Sequence, residues 1–162
     1  MSIDPVAITP VILALSAIAA FVTIWRNQVI ARKRATIDLV LAQKADETLK
    51  QNKSVLSKLY HENKDCLAQY AAGKHKDSDE AKAILGVLNN YEFISSGIHE
   101  NAFCERTYKR MVYGIVMQDF DALKGFIQEV RRSRKHNTLF QEFEWLGRKW
   151  KKRPLKKNHK DQ

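Results

Sequence analysis

The feature that most constrains this chain is the run from Val6 to Trp25, VAITPVILALSAIAAFVTIW, twenty residues without a charged side chain. At a helical rise of about 1.5 Å per residue, such a run spans a hydrocarbon core of about 30 Å. A helix buried in a soluble core seldom stays apolar on every face, because one face normally meets water. The run therefore reads as a transmembrane helix. Arg26, and then Arg32, Lys33 and Arg34, mark where it leaves the bilayer. A cleaved signal peptide would need a basic leader, a shorter apolar run and a small-residue cleavage site. Here Asp4 is the only charged side chain ahead of the run, and apolar residues continue past Ala17 and Ala19 to Trp25.

Lys and Arg flanking a span stay on the cytoplasmic side. All the flanking cations lie after the run and none before it, so the N-terminus is expected outside a bacterial inner membrane and the rest of the chain inside. Trp25 sits where an interfacial anchor belongs, and Pro5 and Pro10 fall in the first turns, where proline costs least.

The net charge of +10 would fit a nucleic-acid partner, but its distribution argues otherwise. Residues 26 to 34 hold four cations, and residues 148 to 162 hold eight with one acid; between 35 and 147 the cations and acids balance. The excess is confined to the juxtamembrane segment and a low-complexity tail, WKKRPLKKNHK, read as a disordered extension. Near an anionic leaflet each Lys or Arg contributes about 1 kcal/mol of attraction. The bilayer is thus the expected partner of Arg26, Arg32, Lys33 and Arg34, and of Lys151, Lys152, Arg153, Lys156 and Lys157. Cys66 and Cys104 are the only cysteines, in no C-x-x-C, and are expected as free thiols of a reducing compartment.

Beyond Arg26 the periodicity is helical throughout. Ile30, Ile37, Leu41 and Leu49 keep roughly one face, so the anchor is expected to run on as a rod, with a first break near Gln51 and Asn52. A second helix carries Leu56, Leu59 and Leu67 and ends before Gly73. A third starts from Asp77 and Glu80 at capping-box spacing and runs to Gly97. A fourth holds Tyr108, Val112 and Ile115, and Asp119 or Asp121 is placed to restart a fifth with Leu123, Phe126 and Val130. In the last helix Thr138 and Gln141 offer a capping box, and Leu139, Phe143, Leu146 and Trp150 form one apolar stripe. No strand alternation is found. The fold class is all-α: an N-terminal transmembrane helix continuing into a cytoplasmic bundle of about five helices. The division is 1–25 for the tail and anchor, 26–51 for a basic juxtamembrane helix, 52–150 for the helical domain and 151–162 for the basic tail.

The stretches ILGVLNNYEFISSGIHEN, ERTYKRMVYGIVMQDFDALKGFIQEVRR and FQEFEWLGRKW resemble the bacterial and phage family called domain of unknown function 4760. The resemblance covers residues 30 to 150. It is most specific at Leu88, Asn89, Tyr91 and Glu92, at Asp119 with Phe126, Ile127 and Arg131, and at Phe143, Leu146 and Trp150. It implies a short N-terminal membrane helix followed by a helical domain, and many members lie in prophages. Cys104 departs from the pattern, since an acidic residue is more usual ahead of Glu105. No activity comes with the resemblance.

Two patterns bear on chemistry. His61-Glu62-Asn63-x-x-Cys66 and His99-Glu100-Asn101-x-x-Cys104 repeat H-E-N-x-x-C, and two His with two Cys can form a tetrahedral zinc set. Residues five apart on a helix point about 140° from each other, which argues against it, so neither a metal nor a cofactor is expected. Arg131-x-x-x-x-His136 has the spacing of the R-x4-6-H element of the HEPN-type ribonucleases; the alternative is a basic helix end favoured by the helix dipole. Glycine-rich phosphate loops and serine-nucleophile motifs are missing. Glu92 and Asp119 adjoin apolar stripes, where a carboxylate must find a donor such as Arg131, Arg110 or a Tyr hydroxyl. Ser16, Ala20 and Thr23 share a face of the anchor at small-residue spacing, which favours a homo-oligomer. The expectation is a membrane-anchored interaction or regulatory protein, prophage-encoded and acting in exclusion or defence, with a tethered ribonuclease or an oligomeric scaffold as alternatives.

Overall fold

The computed structural model describes residues 5–62 and 67–156, with side chains described from residue 12 onward except that of Glu62. Cys66 and Lys157 lie outside the described residues. The described residues form five α-helices and no strand: α1 (Pro5–Ala45), α2 (Glu47–Glu62), α3 (Asp79–His99), α4 (Glu105–Arg134) and α5 (Gln141–Lys152), with 3-10 turns at Leu67–Ala71 and Gly73–His75. The all-α class and the long apolar helix leading into a bundle are as the sequence predicts.

Helix α1 leaves the bundle as a bare rod. One segment of it, Ile12–Ala45, is long and apolar enough to cross a membrane, and no part of the apolar window within it is buried among the described residues. The side chains from Ile12 to Gln28 are all exposed. Contact with the body begins at Val29 and continues through Arg32, Thr36, Val40 and Gln43, spaced three or four apart and therefore on one face. The break comes at Asp46, earlier than the expected Gln51 and Asn52. Its carboxylate accepts the Leu49 N–H at 2.9 Å, an N-cap bond that starts α2. Backbone bonds from Asp46 N–H to Ala42 and from Lys50 N–H to Asp46 bridge the joint, so α1 and α2 nearly abut.

Helix α3 begins at Ser78, whose hydroxyl accepts the Ala81 N–H at 3.2 Å, one residue after the predicted cap at Asp77. The predicted fourth and fifth helices are one helix, α4, of 30 residues. Neither Asp119 nor Asp121 is free to cap a new helix. Asp119 accepts the Tyr91 hydroxyl, and Asp121 accepts from Lys124 and Lys151. Lys135 closes α4 in the left-handed conformation, φ 52°.

Helix α5 buries three of the four predicted stripe residues, Phe143, Leu146 and Trp150, whereas Leu139 lies half-buried in the turn ahead of the helix. Its start is closed from afar. Phe140, at φ 58°, gives no side-chain cap; instead Glu92 on α3 accepts the N–H groups of Glu142 and Phe143 at 3.2 and 2.8 Å. Thr138, predicted to cap, bonds to the ring of His136. Gly147 lets α5 lie against α4, since a Cβ there would fall 2.3 Å from the Phe120 ring. The core joins Ile84, Leu88 and Ile94 of α3 to Phe120, Leu123 and Phe126 of α4, with Leu56 of α2 beneath.

Candidate functional site

Three elements meet where α1 enters the body. Thr36 is fully buried; its hydroxyl donates to the Arg32 carbonyl at 2.7 Å and accepts the Cys104 N–H at 2.8 Å. A residue of the rod thereby holds the residue that precedes α4. The end of α5 arrives at the same level: Trp150 Nε1–H and Lys149 Nζ donate to the two oxygens of Glu105 at 3.1 and 2.7 Å, and Lys109 Nζ donates to the Arg153 carbonyl. The basic tail therefore leaves the body beside the rod.

Trp145 lies at the centre of this end. The His99 ring stacks on it at 4.6 Å and 13°, and Lys149 Nζ stands 4.7 Å from its ring centroid. His99 Nδ1 is 2.6 Å from Glu142 Oε2. Two open clefts share Trp145 and Lys149. One, of about 430 Å³, reaches Arg32, His99 and Cys104; the other, of about 610 Å³, reaches Arg148, Lys152 and Arg153. Burial would raise the Cys104 thiol pKa. Hydrogen bonds from the Thr107 hydroxyl and from the Thr107 and Arg106 N–H groups, with the charge of Lys33, outweigh that and hold it below the usual thiol range. The surface is cationic and aromatic, suited to anionic groups on an apolar support.

A second polar cluster lies inside. The Tyr91 hydroxyl donates to Asp119 Oδ2 at 2.5 Å, and Lys53 Nζ stands 5.1 Å from the Tyr91 ring centroid. Burial raises the Asp119 carboxyl pKa despite the Tyr91 hydrogen bond and the Lys53 charge, and burial also lowers that of Lys53. The cluster ties α2, α3 and α4 together beside an opening of about 310 Å³.

The remaining candidates are dispersed. Arg131 Nε donates to the Leu139 carbonyl and its Nη1 to Glu144, both at 2.8 Å, while the His136 ring pairs with the Thr138 hydroxyl at 3.0 Å. The Arg131 and His136 side chains thus each have a partner in the turn between α4 and α5. His61 lies edge-on to Tyr60 at the end of α2, whereas His99 is engaged with Trp145 and Glu142. Among the described residues no three of His, Cys, Asp and Glu gather as metal ligands would. Ser16, Ala20 and Thr23 are exposed on α1, and the two hydroxyls donate to their own helix at Ile12 and Ala19. Arg26, Lys33, Arg34, Lys152, Arg153 and Lys156 are exposed, Arg32 is half-buried, and Lys151 is drawn to Asp121 at 3.2 Å.

Sequence reasoning missed Trp145, Lys149 and Thr36. Trp145 stands off the apolar stripe of an amphipathic helix, and that misplacement was the available signal. The family described as Domain of unknown function (DUF4760) matches residues 10–150. The chain belongs to that family. The match takes in the membrane-length part of α1 together with the whole body, so the DUF4760 unit includes rod and bundle alike. No curated protein and no solved structure matches the chain.

Proposed function

We propose that this chain is a single-pass membrane protein that holds a helical binding body against the cytoplasmic face of the membrane and acts as an interaction or regulatory factor. The observation that carries the reading is the bareness of α1: its apolar window has no part buried in the chain, which for a soluble protein would leave a long hydrophobic cylinder in water. Lipid is the solvent that fits it. The hydroxyls of Ser16 and Thr23 agree, because each is satisfied by its own backbone, as a span requires.

The cationic end of the body supports the same placement. Arg26 and Thr36 are ten residues apart, about 15 Å along the helix. The tail starts at that depth, and residues 154 to 162 are long enough to reach back by about 30 Å. Lys152, Arg153 and Lys156, with Arg26 and Lys33 on the rod, would then adjoin anionic headgroups. Exclusion of phage or defence is the cellular setting we assign, through a protein partner bound by the body.

Sided labelling tests the placement. In intact cells an impermeant maleimide should label Ser2→Cys, and should label Lys152→Cys only after lysis. The reverse pattern inverts the topology, and release of the protein by alkaline carbonate removes the span. Efficiency of plaquing with and without the protein then tests the setting.

A further inference from the structure

We propose that copies of this chain associate side by side and in parallel through one continuous seam of α1 that runs from the membrane segment into the rod. The proposal rests on the membrane-spanning reading for the alignment and the effective concentration of the copies.

The seam begins with Ser16, Ala20 and Thr23 and continues at the same alternation of four and three through Asn27, Ile30, Arg34, Ile37 and Leu41. That alternation is the heptad repeat of a left-handed helix pair, with Ala20, Asn27, Arg34 and Leu41 at a and Ser16, Thr23, Ile30 and Ile37 at d. All eight side chains are exposed. Beyond the membrane edge the apolar ones remain bare: Ile30 is 43% exposed, Ile37 40% and Leu41 55%. In water such a row is unfavourable unless something covers it.

The body cannot cover it. Val29, Arg32, Thr36, Val40 and Gln43 turn toward the body, and at 100° per residue the seam lies roughly 140° around the helix from them. A second copy can therefore approach without displacing anything. The seam ends near Leu41, because Val40, at a flanking position, is already buried by the body.

Charge identifies the occupant as another copy. In a parallel pair the g residue of one helix faces the e residue five positions later on its partner. Lys33 is at g and Asp38 at e. Both are exposed, and neither takes part in an ion pair among the described residues. Two copies thus form Lys33–Asp38 pairs twice, once in each direction. Asn27 at a can donate to and accept from its own counterpart, and it fixes the register. Arg34 at a weakens the pair and extends toward water along its apolar neighbours. Anchoring in one membrane offsets that weakness by raising the effective concentration and enforcing parallel orientation.

The test uses full-length protein in its membranes, with Cys66→Ser and Cys104→Ser to remove the native thiols. Under mild oxidation Ile30→Cys and Ile37→Cys should form dimers at least tenfold faster than Ala35→Cys, an exposed position off the seam. In the Ile37→Cys background, Lys33→Glu and Asp38→Lys should each slow crosslinking several-fold, and the two together should restore it. Equal crosslinking at Ala35→Cys, none at either seam position, or a double exchange no better than the single ones would overturn the seam. Carbonate extraction is read on the same samples. Crosslinking along the seam in extracted, soluble protein would sink the span and leave the seam standing, whereas an integral protein without seam crosslinks does the reverse.

Discussion

The outer half of α1, apolar on every side, and α5, a mostly polar helix with one apolar stripe, place their apolar residues in opposite ways. From Ile12 to Gln28, α1 offers hydrophobic side chains on every side and buries none of them in the chain. In that stretch the hydroxyls of Ser16 and Thr23 bond to their own backbone. Helix α5 gathers Phe143, Leu146 and Trp150 into one stripe and buries it, the N–H groups of Glu142 and Phe143 are received by Glu92 some fifty residues away in sequence, and its last turn is tied to Glu105. The outer part of the first helix draws no burial from the body; the second exists only through its neighbours. Thr36 is where one regime hands over to the other.

The difference is best broken by paired substitutions read as unfolding of the body in detergent, by urea titration and Trp fluorescence. Trp150 is wholly buried, and Trp150→Ala should cost about 3–5 kcal/mol and strip Glu105 of a donor. Trp25→Ala, on the bare rod at 63% exposure, should leave the midpoint within about 0.5 kcal/mol. Comparable losses from the two would mean that the rod packs on the body after all. Next in size, Thr36→Val keeps the volume but leaves the Cys104 N–H without its acceptor, at about 1–3 kcal/mol. Thr23→Val removes a hydroxyl that serves only its own helix and should change almost nothing. If Thr36→Val is also silent, the handover does not depend on that bond.

What was legible in the sequence follows the same division. The long apolar helix could be read because its composition alone records it. The stripe at Phe143, Leu146 and Trp150 could be read because one helix face is a local property. The joints could not. Asp119 and Asp121 have the chemistry of helix starts, but their carboxylates are occupied by Tyr91, Lys124 and Lys151, and a continuous α4 passes through them. Thr138 has the chemistry of a cap, yet Glu92 arrives from α3 to do that work. Local rules state what a side chain could bond, and only packing decides what reaches it first. In the cluster of Trp145, His99 and Lys149 only the off-stripe Trp145 left a trace in the sequence, since the cluster is drawn from two helices and depends on the crossing of α5 over the end of α3.

Two smaller effects sharpen the contrast inside the body. Gly147→Ala would drive a methyl into the Phe120 ring, which is buried and cannot turn aside, and should cost about 1–3 kcal/mol. Gly114 has nothing within 4 Å of a Cβ, so Gly114→Ala should stabilise α4 by about 0.5–1 kcal/mol. The same urea titrations check both, and a shared sign would mean that α5 does not lie so close to α4.

The last effect concerns the clasp at the turn between α4 and α5, and it depends on pH. Burial pushes the Glu144 carboxyl pKa up, but hydrogen bonds from Arg131 and Arg148, together with their charges, outweigh this and hold it below the usual carboxylate range. A carboxyl depressed by folding contributes stability that is fully present above its unfolded value, about 4.3, and is lost as pH falls through the folded one. Glu144→Gln should therefore cost about 1 kcal/mol at neutral pH, and the difference from the parent should shrink as the solution is acidified below about pH 4. Trp25→Ala should show no such convergence with pH, because the outer rod has no carboxylate partner to lose. If the stability curves of parent and Glu144→Gln stay parallel from neutral pH to acid, the ion pair with Arg131 adds nothing that titrates, and α5 is held to the end of α4 by the Leu139 carbonyl and the apolar stripe alone.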